Sequence, residues 1–318
     1  MTRFLLAYRP LQTREDSSLM SELVWSRDGK DWPNSDASSF VKAAGIRWHV
    51  QRMGQGARLL LIHGTGAATH SWRGLAPILA RQFCLVAPDL PGHGFTQSPP
   101  GHRLSLPGMA SDLGELLRAL DFKPDVVVGH SAGAAILARM SLDRNIAPRL
   151  LVSLNGAFMP FGGVAHHLLS PLAKLLVMNP FAPRLFAWQA SNAGAVERLI
   201  ENTGSRIDRN GIALYGKLVR TPDHVAAALR MMANWRLEPL LHDLPRLTTA
   251  LVLVAASNDR SISPGVARQV REICPQAVIE RVPGLGHLAH EEQPQLIADL
   301  ITKYAARTKA SGEDMPAM

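Results

Sequence analysis

The sequence contains little cysteine and no long hydrophobic run, and each of these absences excludes a class of protein. Its 318 residues include two cysteines, Cys84 and Cys274, which do not make a disulfide framework and lack the spacing of a metal site. We therefore expect a reducing compartment. No apolar run approaches the roughly 18 residues that cross a bilayer, and the run at 4–8 is too short for a signal-peptide core. These features predict a cytoplasmic protein without a transmembrane anchor.

Motifs of nucleotide binding and the charge blocks of nucleic-acid binding are also missing. Neither G-x-x-x-x-G-K-[ST] nor G-x-G-x-x-G occurs in the chain. The formal net charge of +8 indicates an anionic partner, either nucleic acid, a membrane surface or a ligand that carries carboxylates. Because the basic residues are scattered, nucleic acid is the weakest of the three, and we expect no nucleic-acid partner.

A regular alternation of apolar runs and helical patterns fills most of the chain. Hydrophobic residues make up 47% of it and charged residues 19%, which is typical of a globular protein with a large core. Residues 38–52 alternate around Gly45 as an edge hairpin does. Buried strands are predicted at 59–62, 83–87, 126–128, 150–154, 251–255 and 277–282. The pattern predicts an α/β fold with a mostly parallel central sheet flanked by helices, and chemistry at the carboxyl ends of the strands.

Between residues 157 and 247 the alternation stops, and proline-punctuated helical segments rich in Leu, Met, Phe and Trp replace it. We interpret this segment as an inserted helical lid over the strand ends. We also consider the hypothesis that residues 1–19 are an extension that arises from a start codon upstream of Met20. The predicted organisation is an N-terminal extension and arm at 1–37, the first part of the core at 38–156, the lid at 157–247, the second part of the core at 248–307 and a disordered tail at 308–318.

The stretch VVVGHSAGAA at 126–135 joins a β-branched strand to an alanine-rich helix through a G-x-S-x-G turn. In such a turn the serine has a strained backbone, and Gly129 and Gly133 provide room where strand and helix nearly touch. Ser131 is thereby predicted to be exposed at the tip of the strand. A chance match among 25 glycines is the alternative, and the flanking strand and helix disfavour it.

A serine hydroxyl becomes a nucleophile at neutral pH only beside a base, and that base needs an orienting acid. His287 follows the last predicted strand and is the candidate base, with His290 as its competitor three residues on. Three other histidines lie near the same edge in tight turns or inside the serine motif. We expect these to be structural: His63, His93 and His130.

Asp259 follows the strand at 251–255 and is the candidate acid, which gives the chain order Ser, Asp, His. The other position at which an acid could enter, after the strand at 150–154, is Asn155. For the oxyanion hole we expect the backbone N–H of Ala132 and a second N–H from the HGTG loop at 63–66. The second donor is assigned to either Thr65 or Gly66.

Five motifs, in this order, resemble the α/β-hydrolase fold family over roughly residues 38–307. The resemblance implies Ser131 as nucleophile, His287 as base and Asp259 as acid. The motifs are HGTG at 63–66, PDLPGHG at 88–94, GHSAG at 129–133, ND before RSISP at 258–264 and GLGH at 284–287.

A narrower resemblance, to the accessory proteins of magnesium chelatase in bacteriochlorophyll synthesis, covers nearly the whole chain after Met20. It rests on DGKDWPNSDASSFV at 28–41, RWHVQRMG at 47–54 and HGTGAATHSWRGL at 63–75. It implies a place in tetrapyrrole and photosynthetic metabolism, a tetrapyrrole as the small hydrophobic substrate, and association with magnesium chelatase. Two functions stay open: a serine hydrolase acting on an ester or related carbonyl, and a non-catalytic module that binds a tetrapyrrole.

The predicted lid carries two sets of side chains that could meet a ligand. We favour packing against the core for its apolar set, with a flat ligand site or peripheral membrane contact as alternatives. That set is Leu175, Leu176, Met178, Phe181, Phe186, Trp188, Met231, Met232 and Trp235. A solvated face is favoured for most of the basic set, which is Arg184, Arg198, Arg206, Arg209, Lys217 and Arg220. Because His166 and His167 do not share a helix face, we predict no metal site, and no cofactor is expected.

Overall fold

Eight strands form one central sheet in a computed structural model that describes residues 22–160 and 194–313. The strand order is β1-β2-β4-β3-β5-β6-β7-β8; β2 is antiparallel to β1 and β4, and all other neighbouring pairs are parallel. The strands are β1 (Ser38–Ala43), β2 (Ile46–Met53), β3 (Ala57–Ile62), β4 (Phe83–Pro88), β5 (Val126–His130), β6 (Leu150–Leu154), β7 (Ala250–Ala256) and β8 (Val278–Val282). The predicted α/β fold with a mostly parallel sheet is confirmed.

Eleven α-helices accompany the sheet within the two described ranges. They are α1 (Trp25–Asp28), α2 (Leu75–Leu79), α3 (Leu106–Ala119), α4 (Ala132–Leu142), α5 (Ala195–Asn202), α6 (Arg209–Val219), α7 (Pro222–Ala233), α8 (Glu238–Asp243), α9 (Gly265–Ile273), α10 (Ala289–Glu292) and α11 (Pro294–Glu313). Local chemistry explains several helix starts. The Asp208 carboxylate accepts a hydrogen bond from Gly211 N and caps α6, and Pro222 opens α7, where a missing N–H costs nothing.

The core lies on both faces of the sheet, which explains why its strands read as continuous apolar runs. Leu59 and Leu61 of β3 point to the face covered by α2 and α11, whereas Leu60 and Ile62 point to the face covered by α3 and α4. All four side chains are fully buried. Alternation of polar and apolar residues is therefore absent from the strand that leads into the HGTG loop.

The first two strands form the predicted edge hairpin. Ala43 pairs with Ile46, so that Ala44 and Gly45 make a two-residue turn, and both have positive φ, at 53° and 72°. This is the backbone that a tight hairpin requires. Because β2 then lies antiparallel beside β4, the hairpin brings His49 to the end of β4, where Asp89 N donates to His49 O at 3.0 Å.

The described part of the segment predicted as a lid is mostly helical. Residues 157–160 and 194–247 contain α5, α6, α7 and α8 and no strand. The stretch 161–193 lies outside the described residues, together with Arg184, the histidine pair at 166 and 167, and the apolar set from Leu175 to Trp188. Within the described ranges, no helix is both long and apolar enough to cross a membrane.

The last helix extends further than the boundary we predicted at residue 307. α11 continues to Glu313, and Arg149, which precedes β6, contacts one of its later turns: its guanidinium donates to Ala305 O at 2.5 Å and to Thr308 Oγ1 at 2.6 Å. The predicted disorder at 308–313 is thus replaced by helix. Residues 1–21 and 314–318, including the proposed extension at 1–19, lie outside the described residues.

Candidate active site

Ser131 occupies a sharp turn between the end of β5 and the start of α4. Its backbone has φ 51° and ψ −118°, a conformation that L-residues rarely adopt. The two glycines of the motif allow the close approach: a Cβ on Gly129 would overlap with Ala134 N, and one on Gly133 would overlap with Ile62 O. The strain is held in place by the strand, the helix and the neighbouring loop together.

Asp259 and His287 are in direct contact at the same edge of the sheet. Asp259 Oδ2 lies 2.8 Å from His287 Nδ1, and Asp259 Oδ1 accepts hydrogen bonds from Ser261 N and Ile262 N, both at 2.8 Å. Both side chains are buried. A carboxylate at Nδ1 holds the proton on that nitrogen, so that Nε2 is left with a lone pair that can take a proton.

Within the described residues, the Ser131 main chain and the His130 side chain, and not the Ser131 hydroxyl, connect this turn to the end of β6 and to the loop of His287. Ser131 N donates to Leu154 O at 3.0 Å, and the adjacent His130 donates from Nε2 to His287 O at 3.0 Å. Among the described residues, no hydrogen bond joins the Ser131 hydroxyl to the His287 imidazole. The three predicted side chains therefore share one edge of the sheet, with acid and base already paired.

Asn155 fastens the loop that carries His287, a role that we did not predict. Its Nδ2 donates to Gly286 O at 3.1 Å and to His287 O at 2.9 Å, while its Oδ1 accepts from Ala256 N at 2.9 Å. The sequence pattern marked this position only as a second place for an acid. The signal available was the residue type, since an amide at a strand end can donate and accept at once.

The other histidines near the edge make different contacts from His287. His63 donates from Nδ1 to Gly64 O and accepts at Nε2 from Leu90 N, so both ring nitrogens are used within the fold. His290 Nε2 lies 2.8 Å from Ser71 Oγ, and burial lowers the pKa of His290 to about 3. Its described contacts do not include Asp259. The carboxylate contact thus distinguishes His287 from its competitor.

Neutral imidazoles surround the candidate base. The rings of His130 and His287 are 4.6 Å apart between centroids, and those of His130 and His290 are 4.5 Å apart. Burial lowers the pKa of His130 well below its usual value, as it does for His290. Both neighbours are therefore uncharged at neutral pH.

The backbone beside Ser131 offers the N–H groups expected of an oxyanion hole. Ala132 opens α4, so its N–H has no partner inside the helix. Gly64 packs against the serine, where an added Cβ would lie 2.9 Å from Ser131 Cβ, and Thr65 and Gly66 follow it. Among the described residues, no group accepts a hydrogen bond from the N–H of Ala132, Thr65 or Gly66.

A second Ser–His–Asp grouping lies near the hairpin, and we did not predict it. Ser38 Oγ is 3.0 Å from His49 Nε2, and His49 Nδ1 is 2.8 Å from Asp89 Oδ2. Asp89 also accepts from Thr69 N and Phe95 N, at 2.7 and 2.9 Å. Aromatic rings enclose His49. This grouping ties the hairpin to the turn after β4.

The described part of the chain contains no group of three or more His, Cys, Asp or Glu side chains that could hold a metal ion. Of the basic set that is described, Arg198, Arg206, Arg209 and Arg220 are exposed, whereas Lys217 is half-buried and donates from Nζ to Asp28 O at 3.4 Å. Met231 is fully buried and Met232 is 43% exposed, so the two adjacent methionines face opposite ways.

The sheet order, the strained serine between strand and helix, and the buried Asp–His pair are features of one family, and its sequence profile agrees. The profile described as the alpha/beta hydrolase family matches residues 59–300, and the chain belongs to that family. A relative in Rhodobacter capsulatus named magnesium-chelatase 30 kDa subunit is 38% identical over 263 residues, which cover 82% of this chain and 92% of that protein.

Two further comparisons extend this result. A 2-hydroxy-6-oxo-2,4-heptadienoate hydrolase of Pseudomonas putida is 31% identical over 155 residues, which cover 48% of this chain and 54% of that enzyme. The crystal structure of an alpha/beta hydrolase fold protein from Burkholderia ambifaria has a TM-score of 0.71 at 23% identity, covering 84% of this chain and 98% of that one. At that identity the structural likeness concerns the fold alone.

Proposed function

We propose that the protein is a serine hydrolase that cleaves an ester or a related carbonyl compound through Ser131, His287 and Asp259. The observation that carries the proposal is the 2.8 Å contact of His287 Nδ1 with Asp259 beside the strained turn of Ser131. Membership of the alpha/beta hydrolase family supports it. The N–H groups of Ala132, Thr65 and Gly66 support it further: they have no acceptor among the described residues, Ala132 follows the serine, and the other two follow Gly64, which packs against it.

In the proposed reaction, Ser131 Oγ attacks the substrate carbonyl carbon and its proton passes to His287 Nε2. The negative charge that develops on the carbonyl oxygen is stabilised by N–H of Ala132 and by N–H of Thr65 or Gly66. Each such donor contributes about 3 kcal/mol to transition-state stabilisation. His287 then protonates the leaving group, and water hydrolyses the acyl-enzyme by the same steps. Asp259 holds the imidazole and stabilises its charged form.

A fluorophosphonate probe tests this proposal, because it reacts with activated serines. Wild-type protein is expected to be labelled, and Ser131→Ala and His287→Ala are expected not to be. Ser38→Ala is the matched control, since Ser38 also contacts a histidine that is paired with an aspartate. If wild type and Ser131→Ala are labelled equally and only Ser38→Ala loses the label, the nucleophile is Ser38 and the proposal is wrong.

We also propose that the substrate is a tetrapyrrole and that the protein works beside magnesium chelatase, in the cytoplasm or at a membrane surface that the helical segment contacts. This rests on the name of the Rhodobacter capsulatus relative. Protoporphyrin or its magnesium complex is then expected to quench tryptophan fluorescence saturably at micromolar concentrations, and salt to weaken binding. Absence of saturable quenching by either compound would remove the tetrapyrrole from the proposal and leave the hydrolase.

The name of the same relative favours a second candidate, a non-catalytic accessory module that binds a tetrapyrrole on this fold. The two candidate functions differ in whether they require the hydroxyl of Ser131. If the protein acts by catalysis, Ser131→Ala in the native host reproduces the pigment defect of a deletion. If it acts by binding, that variant restores pigment. The comparison is valid when the melting temperature of the variant matches wild type within a few degrees, which corresponds to under about 1 kcal/mol.

A further inference from the structure

One face of helix α7 packs over the HGTG loop and the turn after β4. The face comprises His224, Ala227 and Met231, which are 3%, 1% and 0% exposed and follow one another at helical spacing. Ala227 Cβ would lie 2.5 Å from a Cβ on Gly92, and Thr65 Oγ1 donates to Met231 Sδ at 3.4 Å. A helix of the segment between β6 and β7 therefore contacts the loop that would supply oxyanion donors.

His224 makes two main-chain contacts whose directions define its protonation. Gly94 N lies 3.1 Å from Nδ1, and because an amide N–H can only donate, Nδ1 must accept. Gly66 O lies 3.1 Å from Nε2, and because a carbonyl can only accept, Nε2 must carry the proton. The two demands agree on one neutral tautomer. Burial lowers the pKa of His224 to about 4, which keeps the ring in that form at neutral pH.

Gly66 turns the HGTG loop with a positive φ and has no side chain that could hold this conformation. Its φ is +76°, and a Cβ built on it would meet nothing within 4 Å. A glycine in open space can rotate its flanking peptide planes at little cost. The peptide after Gly66 is held at both of its polar groups, since Ala67 N donates to Gly64 O at 3.2 Å and His224 Nε2 donates to Gly66 O. It adjoins the peptide that carries the Gly66 N–H.

We infer that His224 is a positioning residue: by holding Gly66 O, it fixes the direction of the loop's N–H donors toward Ser131. The inference rests on the proposed hydrolase function. It makes the helical segment part of the oxyanion hole, so that movement of α7 away from the core would disassemble the donors and leave Ser131, His287 and Asp259 intact.

A pair of substitutions separates the two hydrogen bonds of His224. In His224→Gln the side-chain amide nitrogen stands at the position of Nε2 and keeps the bond to Gly66 O, whereas the bond from Gly94 is lost. In His224→Asn the amide oxygen stands at the position of Nδ1 and keeps the bond from Gly94, whereas the bond to Gly66 is lost. The pair removes one contact at a time with similar chemistry.

On a p-nitrophenyl ester, we expect His224→Asn to lower kcat by about 10- to 100-fold with KM unchanged, because the donors are misplaced by a fraction of an ångström or more. His224→Gln is expected to stay within about 3-fold of wild type on the same physical argument. Both are assayed well below the lower melting temperature. Equal kcat for the two variants, or losses that follow the melting temperatures, would overturn the inference.

Deuterium exchange of a peptide covering residues 63–69 provides a second measurement that needs no activity. We expect faster exchange in His224→Asn than in His224→Gln and wild type. Slow exchange in both variants would overturn the positioning role. If the wild type cleaves no ester and yet His224→Asn loosens the loop, the hydrolase proposal fails and the contact stands. If His224→Asn does not fold, Met231→Leu replaces it, because it removes the contact of α7 with Thr65 Oγ1. A rise in KM without a change in kcat would then count against the inference, and a fall in kcat without a change in KM would support it.

Discussion

The groupings Ser38–His49–Asp89 and Ser131–His287–Asp259 share one feature and differ in nearly all others. In both, the histidine Nδ1 lies 2.8 Å from a carboxylate oxygen. Ser38 completes the chain with a hydrogen bond to the second ring nitrogen, whereas Ser131 does not. Judged by three side chains alone, the hairpin grouping is the more complete of the two.

The backbone around each serine reverses that ranking. Ser38 begins a regular strand and its Oγ also accepts from Gln51 Nε2, so its hydroxyl is occupied by the hairpin. Ser131 has a positive φ and precedes a helix whose first N–H has no acceptor within the described residues. His49 is fully buried among aromatic rings, which leaves no room for a substrate. In the proposed function, the turn and its N–H groups therefore distinguish Ser131 from Ser38 more clearly than the hydrogen-bonded side chains do.

The largest expected difference between the groupings concerns their carboxylates. Asp259→Asn is expected to lower turnover by about 10⁴-fold with little change in melting temperature, because it removes the acceptor that orients His287. Asp89→Asn is expected to cost about 3 kcal/mol of stability, because two main-chain donors and a buried histidine depend on its charge. Turnover and thermal melts of both variants test this. A stable Asp89→Asn with lost turnover would reverse our assignment.

Acidification provides the next test, because neutral histidines lie close to both groupings. Burial lowers the pKa of His290 to about 3, whereas the unfolded chain titrates histidine near 6.5. The unfolded state then binds more protons, so stability falls as the pH drops from 6.5 toward 3, by about 1.4 kcal/mol per pH unit for each such histidine.

Melting temperatures between pH 7 and pH 5 measure this effect. His290→Gln is expected to make the pH dependence shallower, since it removes one of the titrating groups. His242→Gln is the matched control, because the His242 side chain is 86% exposed, and its pH dependence is expected to equal that of wild type. If the melting temperature of His290→Gln depends on pH as steeply as that of wild type, His290 is not one of the groups that destabilise the protein in acid.

The smallest expected effect is on stability, and it has opposite signs when Ser131 and Ser38 are replaced by glycine. Ser131→Gly is expected to raise stability by about 1 kcal/mol, because glycine adopts its φ and ψ without strain. Ser38→Gly is expected to lower stability by a similar amount, about 1 kcal/mol, because glycine weakens a strand and the contact with His49 is lost. Urea unfolding of both proteins tests the signs. A loss of stability in Ser131→Gly would mean that the turn is unstrained.

Much of the fold could be predicted from the sequence because its signals are local. The apolar run of β3 ends at the HGTG loop, and the G-x-S-x-G turn requires only that a strand and a helix meet at Ser131. The Asp259–His287 contact followed from both residues lying after parallel strands. Ser131, His287 and Asp259 could thus be proposed together before their positions were seen.

The unpredicted contacts are all non-local. His49 meets Asp89 only because β2 runs antiparallel beside β4, a register that no periodicity reveals. His224 reaches Gly66 across 158 positions from a helix whose placement depends on packing. Asn155 occupies a known strand end, and yet its amide could be assigned to the base loop only once β7 was beside β6. These three contacts depend on strand order, register or helix packing, which the sequence pattern does not give.

The loop at His287 is held by hydrogen bonds to its main chain, so that the imidazole is free of that task. His287 O accepts from Asn155 Nδ2 and from His130 Nε2, so the backbone is held on two sides while the imidazole has Asp259 as its described hydrogen-bond partner. Small rotations of the ring that keep Nδ1 bonded to Asp259 therefore need no movement of the loop. In the proposed cycle, Nε2 could then swing from the serine oxygen to the departing group and back, with Asp259 as its tether and no rearrangement of the sheet edge.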